Sequence, residues 1–290
     1  LNFSFAAITN LSSPLDTTSG NNTPTGIYFS NDGSKVFVLG SNGNGGDRDS
    51  IIEYSLSTAY DVSTASGTTQ SLIVDGGIGS VLGFTSLHPF GLTFNGDGSK
   101  VYVADGNLDK IFEITLGSNF DLTSSATHTG TLNTDVSNGS DTPCGITFNN
   151  DGSKLFLAGF ADQEIVYWSL STDYDIDTEG SANFFDLTPY KTASHFKPRD
   201  VDFNSDGTRM YVVDFNSDRI VIFKLDNAFD LSSGVTELGS IDTSSIDAQT
   251  FSSEFNSDGT KFYTIGYGNV IDDELADDID EFSVSPAYAL

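Results

Sequence analysis

Two groups of residues have the types and spacing to do chemistry. The first is Asp202 and Glu254, with Asp200 nearby. Carboxylates brought together can hold a metal ion. They can also divide acid and base roles when their surroundings push their pKa values apart. The second is the basic and aromatic run from Tyr190 to Arg199, which holds Tyr190, Lys191, His195, Lys197 and Arg199 and leads into Asp200. The chain carries 12 bases against 41 acids, a net charge of -29. An isolated positive patch in so acidic a molecule is a candidate grip for an anionic ligand, such as a carboxylated or sulfated sugar. The alternative is that these bases neutralise neighbouring aspartates, including Asp186 and Asp200.

Other reactive types give less. His88 precedes a proline and His128 falls near an outer strand, and neither has a Ser or Cys partner in a nucleophile motif. The single Cys144 excludes an intrachain disulfide and a zinc-thiolate cluster.

The elements that position these residues follow from an internal repeat. Phe29-Ser-Asn-Asp-Gly-Ser-Lys35 recurs from Phe94, Phe148, Phe203 and Phe255, with its aspartate at Asp32, Asp97, Asp151, Asp206 and Asp258. An apolar strand follows each copy, as in Val36–Leu39. A second phrase comes next, as in Ile51-Ile-Glu-Tyr-Ser-Leu56 and Ile111-Phe-Glu-Ile-Thr-Leu116. Then comes an aromatic–aspartate pair: Tyr60-Asp61, Phe120-Asp121, Tyr174-Asp175 and Phe229-Asp230. A fourth apolar segment ends each unit. Four short strands per repeat, with no helical periodicity, predict an all-β, five-bladed β-propeller of four-stranded antiparallel blades. The expected blades span about 25–75, 90–133, 144–187, 198–241 and 251–290 in a single domain. The last unit lacks its outer strand, and Leu1–Ile8 is a spare strand. Pairing the two would close the ring with the N-terminal strand and leave no open edge.

Within this frame the turn aspartates read as Asx-turn acceptors, and the following glycines supply φ > 0. The preceding Phe should pack between sheets, and the Lys or Arg should sit at the rim beside the Asp. Calcium is the one cofactor this Asp-rich chemistry suggests, although the spacing lacks the alternating ligands and distal Glu of a calcium loop. The insert with Asp272, Asp273, Asp277, Asp278 and Asp280 is a second, looser cation candidate. Trp168 stands where other repeats have Tyr54 and Phe223, so packing is its expected role. Aligned innermost strands place Tyr28, Thr93, Thr147, Asp202 and Glu254 at one level. Asp202 and Glu254 are the candidate metal ligands.

Composition narrows the partners. A net charge of -29 opposes a nucleic-acid backbone and an anionic membrane surface. No stretch is long and apolar enough to be a transmembrane helix. Of the acids only eight are Glu, an excess of Asp typical by analogy of secreted proteins from salty water. The start at Leu1 suggests a processed or excised chain.

The phrases resemble bacterial β-propeller repeats of the YVTN and NHL-like kind. They are more similar still to arrays with F-N-x-D-G-S/T-K and Y-D-V-S-T in marine bacterial and phage surface proteins. That resemblance implies an extracellular or surface-displayed location and supplies no catalytic residue. The expected function is a non-catalytic recognition or adhesion module that binds a glycan or surface protein through Tyr190, Lys191, His195, Lys197, Arg199 and Asp200. The alternatives are a metal-dependent hydrolase or lactonase-like enzyme at the central channel, and a structural ring in a virion or surface layer.

Overall fold

Each Asp-Gly phrase folds as a tight turn for local reasons. The Oδ1 atoms of Asp32, Asp97, Asp151, Asp206 and Asp258 accept the backbone N–H two residues on, at 2.9 to 3.0 Å. The side-chain hydroxyl of that same Ser or Thr, together with its amide, holds all five carboxyls below the usual carboxylate range. The following glycines have φ between 67 and 75°. They have a second reason to lack a side chain. A Cβ on Gly33, Gly98, Gly152 or Gly207 would fall 2.2 to 2.3 Å from the ring of Tyr60, Phe120, Tyr174 or Phe229. Those aromatics adopt positive φ and fold back so that each amide donates to the turn glycine's carbonyl at 2.8 to 2.9 Å. The aspartate after each aromatic caps the bend, as Asp61 does by accepting the Ser63 amide.

The computed structural model describes residues 9–10, 15–16, 23–41, 49–74, 81–83, 88–135, 142–269 and 278–284. Two short strands come first, β1 (Thr9–Asn10) and β2 (Leu15–Asp16). The first blade contains β3 (Thr23–Phe29), β4 (Lys35–Ser41), β5 (Ser50–Leu56) and β6 (Ala65–Ile73). The second contains β7 (Pro89–Phe94), β8 (Lys100–Asp105), β9 (Lys110–Leu116) and β10 (Ala126–Asn133). The third contains β11 (Pro143–Phe148), β12 (Lys154–Gly159), β13 (Glu164–Ser169) and β14 (Asn183–Asp186). The fourth contains β15 (Pro198–Phe203), β16 (Arg209–Asp214), β17 (Arg219–Leu225) and β18 (Val235–Asp242). The fifth contains β19 (Asp247–Phe255), β20 (Lys261–Asn269) and β21 (Asp278–Ser283), with β1 and β2 on its outer edge. All pairings are antiparallel between neighbours in sequence, apart from those of β1 and β2. The innermost strands lie against one another in order, and β19 returns against β3. The fold is therefore the expected five-bladed ring.

Closure uses the N-terminal segment at a later register than expected. Thr9 pairs with Ser283 and Leu15 with Ile279. Leu1–Ile8, the expected closing strand, lies outside the described residues. So do Asp272, Asp273 and Asp277 of the acidic insert.

Packing between blades is aromatic. The turn-phrase Phe of each blade meets a second-strand aromatic of the preceding one, with ring centroids 4.4 to 4.7 Å apart. The pairs are Phe94–Phe37, Phe148–Tyr102, Phe203–Phe156, Phe255–Tyr211 and, across the closure, Phe29–Tyr263. Trp168 is buried in the cluster that joins the second and third blades, as expected. The turn-phrase lysines correct an expectation. They do not stay at the rim beside their own Asp but latch the next blade. Lys100 Nζ lies 2.8 Å from Glu113 on its own sheet and donates to the Tyr174 carbonyl at 3.0 Å on the next. Lys35 with Glu53 does the same to the Phe120 bend, and Lys261 with Glu281 to the Tyr60 bend across the closure.

Candidate functional site at the hub

Strand register places five residues at one level of the central channel. Tyr28, Thr93, Thr147, Asp202 and Glu254 stand opposite Phe37, Tyr102, Phe156, Tyr211 and Tyr263 of the second strands. The alignment that brought Asp202 and Glu254 to equivalent places therefore holds. One level away the same strands carry Gly26, Gly91, Gly145, Asp200 and Ser252. The glycines let five strands crowd the axis. A Cβ on Gly91 would fall 2.3 Å from the Cys144 carbonyl oxygen. The resulting hub cavity, lined by both levels, has a volume of about 40 Å³. That is room for a few waters and no larger molecule.

Asp200 plugs this narrow level. Its Oδ2 accepts the Ser252 hydroxyl at 2.6 Å and the Ser253 amide at 3.0 Å, and its Oδ1 accepts the Val201 amide at 2.9 Å. Burial pushes its carboxyl up to about 6, against the pull of those bonds. Asp202 is held only by the Phe203 amide, which pulls its carboxyl down. Burial, with a smaller contribution from Asp200, pushes Asp202 up to about 7. Burial and then the charges of Asp202 and Asp200 raise Glu254 well above the usual range. Two interacting carboxyls in this state retain a proton between them near neutral pH, and that proton belongs to the pair. Across the channel, burial and then the Glu254 charge push the Tyr28 phenol far up, so it stays a hydrogen-bond donor.

The hub opens at the turn-phrase face into a basin of about 400 Å³. Tyr28, Thr93 and Thr147 belong to both spaces. Asn31, Asn149, Asn150 and Tyr174 add amides and a phenol, while Phe94 and Phe148 supply apolar wall. Such a lining suits a polyhydroxylated molecule of monosaccharide size.

The second candidate group is only partly gathered. Tyr190 packs edge-on against Phe223, with centroids 4.9 Å apart, and its carbonyl accepts from Arg219. Lys191 and His195 are exposed. Lys197 and Arg199 share the Phe160 ring at the mouth opposite the basin. The ion pair formed here is Arg219 with Asp214 at 3.2 Å, rather than pairs with Asp186 or Asp200.

As for a cation, the turn aspartates already accept turn hydrogen bonds, and Asp200 is engaged by the serine residues. Among the described residues no group of three or more His, Cys, Asp and Glu is arranged around a common point. Asp202 and Glu254 are thus two donors without a third such ligand, and no chemical step is derived through a metal.

Fold and hub together define a closed propeller with a carboxylate pair on its axis. The sequence profile of the family described as Lactonase, 7-bladed beta-propeller matches residues 84–244. That is more than half of the 290 residues, and the chain belongs to this family. It does so with five blades in place of seven. No curated protein matches the sequence. Among solved structures, a protein from Lactobacillus plantarum is 13% identical, with TM-score 0.54 over 84% of this chain and 77% of that one. A candidate 6-phosphogluconolactonase from Bacteroides uniformis is 12% identical, with TM-score 0.53 over 84% and 78%. A chain of a nidogen/laminin complex is 15% identical, with TM-score 0.50 over 89% and 75%. These likenesses establish the fold alone.

The family match overturns the expectation of a non-catalytic recognition and adhesion module. That expectation rested on repeat phrases, and those phrases turn out to form turns, latches and inter-blade contacts. They encode the scaffold and carry no information on whether its hub is reactive.

Proposed function

We propose that the chain is a lactone hydrolase whose reaction centre is the Asp202–Glu254 pair. The supporting observation is the position of that pair, on the channel axis at the inner end of a basin lined with hydroxyls and amides, in a chain of the lactonase family.

A lactone is a cyclic ester, so its hydrolysis needs a base for water, an acid for the leaving alkoxide and a donor for the oxyanion. The ionised member of the pair takes a proton from water as its oxygen bonds to the carbonyl carbon. The carbonyl oxygen becomes an oxyanion within reach of the donors Tyr28, Thr93 and Thr147. The ring C–O bond then breaks, and the protonated member gives its proton to the departing oxygen. The product is the open hydroxy acid, which releases its own proton to solvent, and the pair is left with one proton on the opposite member, from which it redistributes between the two. The substrate ring sits in the basin, with its hydroxyls toward Asn31, Asn149 and Asn150, because the hub itself admits only water.

The test is turnover of aldonolactones, with and without a 6-phosphate, followed by acid release. Asp202→Asn and Glu254→Gln should each lower kcat/KM by roughly 10²- to 10⁴-fold. Activity within a few fold of the unmodified protein in either variant would remove the pair from the mechanism.

A further inference from the structure

The mouth opposite the basin holds an arginine in an aromatic box. The Arg199 guanidinium carbon lies 4.0 Å from the Phe90 ring centroid, 4.8 Å from Phe251 and 5.4 Å from both Phe160 and Phe215. The four rings come from four different blades. Among the described residues no carboxylate lies within ion-pair distance of Arg199. Its polar partner is the Cys144 Sγ at 3.5 Å, a weak acceptor, and its Nε is buried with no hydrogen bond. Lys197 stands beside it, with Nζ 4.6 Å from the centroid of the same Phe160 ring.

A structural plug does not account for these facts. The equivalent position holds Thr25, Phe90, Cys144 and Phe251 in the other blades, so a neutral residue fits the ring at each of them. An uncompensated cation in apolar surroundings is costly, and an apolar side chain of similar volume would fill the box at less cost. Aromatic faces hold a guanidinium by its flat side and leave its N–H fork pointing in plane, where a planar or tetrahedral oxyanion can accept two bonds. Asp200, the next residue in sequence, cannot serve as the missing anion because both its oxygens are engaged with Val201, Ser252 and Ser253.

We propose that Arg199, with Lys197 beside it, binds a small oxyanion of the carboxylate or phosphate class at this mouth. The site does not depend on the hydrolase reading. The hub level plugged by Asp200 separates it from Asp202 and Glu254, and it is tested by binding rather than turnover. Calorimetric titration of the full chain at low salt would use inorganic phosphate in one arm and acetate, which has no hydroxyls for the basin, in the other. The expected result is one site per chain for at least one anion, and the arm that binds identifies the source. Arg199→Met should weaken binding at least tenfold, while Lys224→Met, which removes an exposed charge elsewhere on the same blade, should bind as the unmodified protein does. Should Arg199→Met melt at room temperature, Arg199→Lys is read instead. It keeps the charge but loses the fork, and should still weaken binding severalfold. No binding in either arm, or unchanged affinity in the folded Arg199 variant, would overturn the site.

Discussion

The Asp200 carboxylate occupies the place that a side chain on Gly145 would need. A Cβ at Gly145 would lie 1.9 Å from Asp200 Oδ1 and 2.5 Å from its Cα. The third blade gives up a side chain so that the fourth can reach across and bond the fifth through Ser252 and Ser253. Gly145→Ala should therefore lower stability by about 3 kcal/mol or more, since neither backbone can retreat from the axis. Gly83→Ala sets a control, with its added Cβ in open space and only its backbone angle unfavourable. Denaturant midpoints for the two variants check the prediction, and similar losses would refute it.

The hub carboxyls also make a prediction for stability against pH. Folded Asp202 holds its proton to about pH 7, whereas the same carboxyl in the unfolded chain releases it near 4. Between those values the unfolded chain holds fewer protons, so stability falls as pH rises and then levels off. Asp202→Asn is neutral at every pH. It should match the unmodified protein near pH 4 and exceed it at pH 8. Thermal melting of both proteins at several pH values measures the gap, and a gap that fails to widen from pH 4 to pH 8 contradicts the raised carboxyl.

The same pair shapes the expected rate profile. Turnover needs one proton on the pair, so kcat/KM for a lactone should rise and then fall with pH. Either variant that neutralises one member should lose that bell shape along with its activity. A profile that rises steadily with pH in the unmodified protein would point to simple hydroxide attack.

Blade latches differ in a way that mutation can read. Lys100 bridges a buried Glu113 and the Tyr174 carbonyl, whereas Lys154 has Tyr167 in place of the glutamate and bonds the Phe229 carbonyl at 2.8 Å. Lys100→Met strands a buried carboxylate and should cost about 1–2 kcal/mol, allowing for the partial exposure of the lysine. Lys154→Met strands no charge and should cost less. Equal losses in urea titrations would show that Glu113 needs no cation.

Much of the architecture can be read from the repeat alone. Five Asp-Gly phrases announce five first hairpins, the recurring Phe marks the contact between sheets, and the level shared by Asp202 and Glu254 follows from aligning strands of equal length. Other features resist that reading because their partners are distant in the chain. Glu53, Glu113 and Glu281 look like ordinary strand residues until a lysine and a neighbour's bend close on them. The Arg199 box is built from rings at 90, 160, 215 and 251, which no local pattern groups. Glycines at 26, 91 and 145 signalled crowding at the axis, and that signal could have been found. The repeats do not single out a function, since they describe what the blades share, and the proposed reaction centre lies where two blades depart from the rest.

Joining Thr9 to Ser283 also dictates an order of events during synthesis. The strands Thr9–Asn10 and Leu15–Asp16 cannot find their partner until Asp278–Ser283, four blades further along the chain, has emerged. Four sheets can assemble while the chain is still growing, but the fifth waits for segments that flank all of them, so this closure should be the slow step of folding. In the interval the unpaired edge of Leu15–Asp16 is the surface most exposed to mispairing with another nascent copy.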